Sequence, residues 1–183
     1  MSQRVKTRTN KRGSATPLSK ITDRTSKSWT RGARAATLSL FKKMSEKVPA
    51  YKEFLKKNKV KASNIKSHKD LEEVPAVSKK NYLRIMKFPK LFWNGSLATK
   101  QVLTSTSGSS GKPVYFARSS EIDDESSLIH ELFFRNSSLS LNKSTLVVVC
   151  FGMGVWIGGV ITYQAFEKLG RRGYPISVIT PGI

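Results

Sequence analysis

Leu146-Val147-Val148-Val149-Cys150-Phe151, broken by Gly152-Met153-Gly154, is followed by Val155 to Leu169 and then by Ile176-Ser177-Val178-Ile179-Thr180. The first run is continuous, apolar and rich in valine, the pattern of a strand buried on both faces. The glycine triplet ends it. Val155–Leu169 reads as a helix closed by Gly170 as its C-cap glycine, with Arg171 and Arg172 after it. Ile176–Thr180 reads as a second strand, ended by Pro181-Gly182. Strand, helix and strand in this order make a βαβ unit, which implies a parallel pair and an α/β class. One rival reading uses the same residues. No charge lies between Lys143 and Glu167, so residues 145–166 are long enough to anchor a small membrane protein. The four glycines and the Gly-Met-Gly break argue for the strand and helix instead, and no membrane is expected.

Working upstream, Ser120 with Glu121, Asp123, Asp124 and Glu125 behind it opens a helix whose acids suit the N-terminal dipole. Its expected buried stripe is Ile122, Ile129, Leu132 and Phe133. Before it, Gln101–Thr104 and Pro113–Ala117 read as two short strands. Between them runs a loop unlike ordinary linkers. Thr104 to Lys112 contains six hydroxyl side chains, two glycines and one lysine. Glycines let backbone N–H groups converge on an anion, hydroxyls add donors, and Lys112 adds a mobile positive charge. That composition suits a polyphosphate.

The loop is not a Walker A motif. Counting back from Gly111, the first glycine should stand at Thr106, and Pro113 occupies the position of the Ser or Thr after the lysine. Thr106-Ser107-Gly108-Ser109-Ser110-Gly111-Lys112-Pro113 instead resembles the phosphate-binding signature of the adenylate-forming superfamily. The absence of a lysine after the proline, where Val114 stands, is similar to the phenylacetate–CoA ligase branch. Val48–Leu55 and Ser67–Arg84 resemble the helical lead-in of that branch. Phe151 to Gly159 resembles its glycine-rich turn beside the acyl pocket. The Gly152, Gly154, Gly158 spacing departs from a dinucleotide fingerprint, and no acid ends the next strand.

The resemblance implies a fold and a reaction. The fold is a helical lead-in, a phosphate-loop hairpin and the start of a mixed or parallel sheet with βαβ units. The reaction is activation of a small-molecule carboxylic acid by ATP and Mg2+ as an acyl-adenylate, followed by transfer to CoA. Thr106, Ser107, Gly108, Ser109, Ser110, Gly111 and Lys112 would bind the nucleotide phosphates. Phe151, Gly152, Met153, Gly154 and Trp156 would line the acyl pocket. The family's downstream aromatic–acidic motif, ribose-binding aspartate, hinge and C-terminal lysine domain have no counterpart, so the chain reads as an N-terminal fragment, inactive alone. No protein metal ligand and no catalytic side chain is assigned.

The remaining sequence divides by charge. Residues 1–90 hold 25 Lys and Arg against 6 Asp and Glu, a net of +19, whereas residues 91–183 hold 8 against 6, a net of +2. Residues 1–34 read as a basic, disordered leader. Residues 35–183 read as a partial adenylation domain, with the lead-in at 35–95 and the loop and βαβ part at 96–183. In the lead-in, Leu38, Phe41, Ser45, Val48, Tyr51 and Leu55 recur at helical steps, interrupted near Pro49, and the lysines read as a solvated face. Ser67 with Asp70, and Ser78 before Lys79–Met86, are capping signals. The basic half allows a second functional class, a nucleic-acid-binding protein; without aromatic residues interleaved in Arg4–Lys27 a base-stacking platform is not indicated. Cys150 is the only cysteine, which fits a reducing, cytoplasmic setting.

Overall fold

The computed structural model describes residues 25–98, 101–108, 112–137 and 143–182. Helix α1, Ser26–Lys47, starts nine residues before the expected boundary at Ala35. Thr25 caps it by accepting the Ser28 amide at 3.2 Å, and Thr30 and Thr37 donate their hydroxyls back to carbonyls one turn earlier. The leader reading is therefore corrected for Ser26–Arg34, which is helical; residues 1–24 lie outside the described residues. Helix α2, Pro49–Lys57, follows at once, with Pro49 in the first turn where its missing N–H costs nothing.

These two helices and the turns after them form the first core. Phe41, Val48, Ala50, Tyr51, Phe54, Leu55, Ile65 and Tyr82 are buried together. Tyr51 stands edge-on to Phe41 at 6.0 Å and to Tyr82 at 6.3 Å, and Phe54 meets Tyr82 at 5.5 Å. Such ring pairs add about 0.5–1.5 kcal/mol each beyond area burial. Both capping signals act. Asp70 accepts the amides of Lys66 and Ser67 at 2.9 and 2.8 Å, at the head of a 3-10 turn over Lys69–Glu73. Those two backbone bonds hold the Asp70 carboxyl below its ordinary value. Ser78 and Asn81 form a reciprocal capping box, but the element it opens is a five-residue π-helical turn, Lys79–Leu83, shorter than expected.

Strands β1, Val102–Ser105, and β2, Tyr115–Arg118, pair antiparallel, with Thr104 opposite Phe116. Helix α3 spans Ser120–Asn136 behind its N-cap Ser119. Strand β3, Thr145–Val148, helix α4, Ile157–Arg171, and strand β4, Ile176–Ile179, complete the βαβ unit, and β3 pairs parallel with β4. The chain is thus a mixed helix-and-strand protein of broadly α/β type. No helix among the described residues is long and apolar enough to cross a membrane.

Three expectations are corrected. First, α3 buries its polar face. Asp123, Ser127, Glu131 and Phe134 are buried, while Ile122, Ile129 and Phe133 are exposed, Phe133 by 68%. The polar face turns inward because partners meet it. Arg172 donates to Ser127 at 2.7 Å and to Glu131 at 3.1 Å, and Tyr174 donates to Glu131. Second, β3 is not covered on both faces. Val147 and Val178 lie on the more covered face, whereas Leu146 and Val148 are exposed. Third, α4 runs on to Arg171, and the left-handed glycine beyond it is Gly173 (φ +96), so Gly170 is not the cap.

Candidate functional site

The loop between β1 and β2 is described at both ends. Ser109, Ser110 and Gly111 lie outside the described residues. At its base, the Thr106 amide donates to the Val114 carbonyl at 3.1 Å, and the Val114 amide returns a bond to Thr106 Oγ1 at 3.2 Å. This pair closes the neck of the loop in continuation of the hairpin ladder. Gly108 has φ +72, a left-handed conformation that glycine adopts without strain. Ser107 is exposed beside it, and Lys112 is exposed on the far side. The Lys112 carbonyl accepts a bond from Arg84 Nη2 at 3.0 Å, which ties the loop's exit to the π-helical turn of the lead-in. Sequence reasoning did not single out Arg84; its contact spans 28 residues and leaves no local signal.

The glycine-rich turn lies against the same hairpin. Ser105, the last residue of β1, donates its amide to the Val155 carbonyl at 2.7 Å, and Ser105 makes an isolated parallel bridge with Trp156. Gly154 has φ +79, so the turn needs a glycine there. Gly152 and Gly159 are required by space. A Cβ on Gly152 would stand 2.7 Å from Trp156 Cδ1, and a Cβ on Gly159 would run into the Gly152 carbonyl oxygen and lie 2.9 Å from Met153 Sδ. The turn is therefore pressed onto the first turn of α4. Phe151, Val155 and Trp156 are exposed, Phe151 by 56%, so this segment forms an open apolar patch and not an enclosed pocket.

Behind the hairpin sits a buried ionic group that the sequence reading also missed. Arg118 ends β2 and is only 3% exposed. Its Nη2 donates to Gln164 Oε1 of α4 at 2.8 Å, and its Nη1 faces Asp123 of α3 at 3.5 Å. The group holds both helices to the strand that leaves the loop. Thr104 of β1 is buried with its hydroxyl unpaired among the described residues.

The site thus joins the three segments singled out in the sequence. The loop base and the glycine-rich turn are neighbours through Ser105 and Val155. The lead-in reaches the loop through Arg84. Chemically, the arrangement offers a left-handed glycine, hydroxyls and one lysine at a hairpin tip, beside an open apolar surface. Neither protein-family models nor curated proteins match this chain.

Proposed function

We propose that this chain carries the phosphate-binding part of an enzyme that activates carboxylic acids with ATP. The observation that supports this most is the hairpin-borne loop Thr106–Lys112, whose neck is closed by the Thr106–Val114 pair and which stands beside the glycine-rich turn. The loop's sequence offers donors suited to a nucleotide's β- and γ-phosphates. Ser107, Ser109 and Ser110 supply hydroxyls, Gly108 and Gly111 supply amides, and Lys112 supplies charge. Mg2+ would enter with ATP and offset charge on the phosphates; no residue of this chain is assigned to it.

In this reading the carboxylate attacks the α-phosphate, pyrophosphate leaves, and the acyl-adenylate passes to a thiol such as that of CoA. The chain's contribution is positional and electrostatic. The loop fixes the leaving pyrophosphate, and the apolar surface from Phe151 to Trp156 receives the acid's hydrocarbon part. Acid-dependent exchange of labelled pyrophosphate into ATP, measured on a chain that carries this segment together with the family's downstream motifs, tests the reading. Exchange that requires both an aromatic or aliphatic acid and an intact loop supports it. ATP turnover indifferent to acid, or exchange unaffected by Lys112→Ala, rejects it.

A further inference from the structure

Behind the hairpin, Thr104 Oγ1, Arg118 Nε and Nη1, and Asp123 Oδ1 are buried without a hydrogen-bond partner among the described residues. Thr104 is 1% exposed, Arg118 3% and Asp123 6%. The fold sets them close together. Strand pairing puts Val102 opposite Arg118 and Thr104 opposite Phe116. Side chains alternate along a strand, so Thr104 and Arg118 share one face of the hairpin as diagonal neighbours, a distance that a side chain as long as arginine spans. Asp123, in the first turn of α3, stands with Oδ1 3.5 Å from Arg118 Nη1, near enough for charge attraction but not hydrogen-bonded. Arg118 Nη2 is the bonded nitrogen, donating to Gln164 Oε1 of α4 at 2.8 Å.

Buried polar atoms in folded proteins are nearly always paired, because an orphaned one keeps its full desolvation cost. Four such atoms on three neighbouring side chains call for a partner other than a side chain. Their chemistry selects it. The guanidinium and the carboxylate sum to zero net charge. Asp123 therefore repels an anion there, and Arg118 repels a cation. Arg118 offers donors, Asp123 an acceptor, and the Thr104 hydroxyl serves as either. The matching ligand is neutral, both accepts and donates, and is small enough to lie between a strand pair and a helix. Water has those properties.

We infer that Thr104, Arg118 and Asp123 hold an internal water molecule that ties the hairpin to α3. The water accepts from the Arg118 guanidinium, donates to Asp123 Oδ1 and shares its remaining bond with the Thr104 hydroxyl. That makes about three bonds, the usual number for a buried water. It completes the group that Arg118 forms with Gln164, so the strand leaving the Thr106–Lys112 loop is held to α3 as well as to α4. The site needs no nucleotide, and its test does not depend on what the loop binds.

Thr104→Val in the full 183-residue chain tests this by the sign of its effect. Valine keeps the shape of the side chain and removes the hydroxyl. Removing an orphaned buried hydroxyl would raise the melting temperature, whereas removing a partner of a bound water should lower it, by about 2–4 °C. Magnetic relaxation dispersion of the water oxygen detects waters held for longer than the protein takes to tumble. The expected dispersion is present in the wild type, kept in Thr104→Ser, which retains the hydroxyl, and reduced in Thr104→Val. A second readout needs no variant to fold. In the wild type a guanidinium proton of Arg118 should show a rotating-frame Overhauser peak to water, opposite in sign to a peak from proton exchange. A higher melting temperature for Thr104→Val, equal dispersion in the wild type and Thr104→Val, or no Overhauser contact at Arg118 would each overturn the inference.

Discussion

The amide of Ser105 donates a 2.7 Å hydrogen bond to the carbonyl of Val155, and through it the strand entering the hydroxyl-rich loop is fastened to the turn that starts α4. Ser105 lies in the hydroxyl-rich stretch and Val155 in the glycine-rich turn, and the bond sets these two candidate segments side by side. Buried main-chain groups need partners, and this bond satisfies the Ser105 amide, which the two-stranded ladder leaves open. The loop and the turn should therefore respond to substitution together.

Gly159→Ala tests that coupling. The added methyl would collide with the Gly152 carbonyl, a backbone atom that cannot swing aside. Overpacking of this kind costs about 1–3 kcal/mol. Urea unfolding should show a loss in that range, with reduced nucleotide binding although Gly159 is outside the loop. Gly32→Ala, where nothing lies within 4 Å, should leave binding unchanged and stabilise α1 slightly.

Within the loop, Ser109→Ala combined with Lys112→Ala should weaken Mg-ATP binding. A hydrogen bond to a charged group contributes about 1.5–3 kcal/mol, so the loss should be roughly 10–100-fold in Kd. Circular dichroism should be unchanged, since Lys112 is exposed and its carbonyl still accepts from Arg84.

Arg118 and Asp123 should behave as a coupled pair. Arg118→Met leaves the Asp123 carboxylate buried without its cation, and breaking a buried pair this way costs about 3–5 kcal/mol. Arg118→Met with Asp123→Leu should cost less than the single change. A double-mutant cycle from denaturant melts measures the coupling, and additive losses would remove the pair from the account.

Tyr82 gives the first core an alkaline limit. Burial, and then the neighbouring Tyr51, push its phenol up to about 12 from an ordinary value of 10.0. Its neutral form is favoured in the folded state, so above the unfolded value the unfolded chain binds fewer protons. The stabilisation is complete below about pH 10 and is lost as pH rises through about 12. Thermal melts over that window should fall with pH, and Tyr82→Phe should flatten the slope.

Much of this architecture could be read from the residues. The glycine-interrupted run from Leu146 to Thr180 foretold a parallel strand pair with a helix between, because branched apolar runs and glycine breaks act locally. The hairpin on either side of the loop, and the caps at Ser67 and Ser78, were local signals too. What escaped depends on distant partners. The inward face of α3 follows from Arg118, Arg172 and Tyr174, which supply charges and a hydroxyl to Asp123, Ser127 and Glu131; periodicity assigns the apolar side inward when such partners are unknown. Helix α1 begins at Ser26 behind its Thr25 cap but with no apolar stripe, so nothing in a hydrophobic pattern marks its first turns. In the candidate site, the loop and the glycine-rich turn stood out by composition, whereas Arg84 and the Ser105–Val155 bond are products of the fold.

The proposed function requires the loop to hold the phosphates of a nucleotide. Equilibrium titration of the 183-residue chain with Mg-ATP, in parallel with the Ser109→Ala, Lys112→Ala variant, measures this directly. Saturable binding that drops roughly 10–100-fold in the variant is the predicted result. Absence of binding, or equal affinity in the two chains, would contradict it.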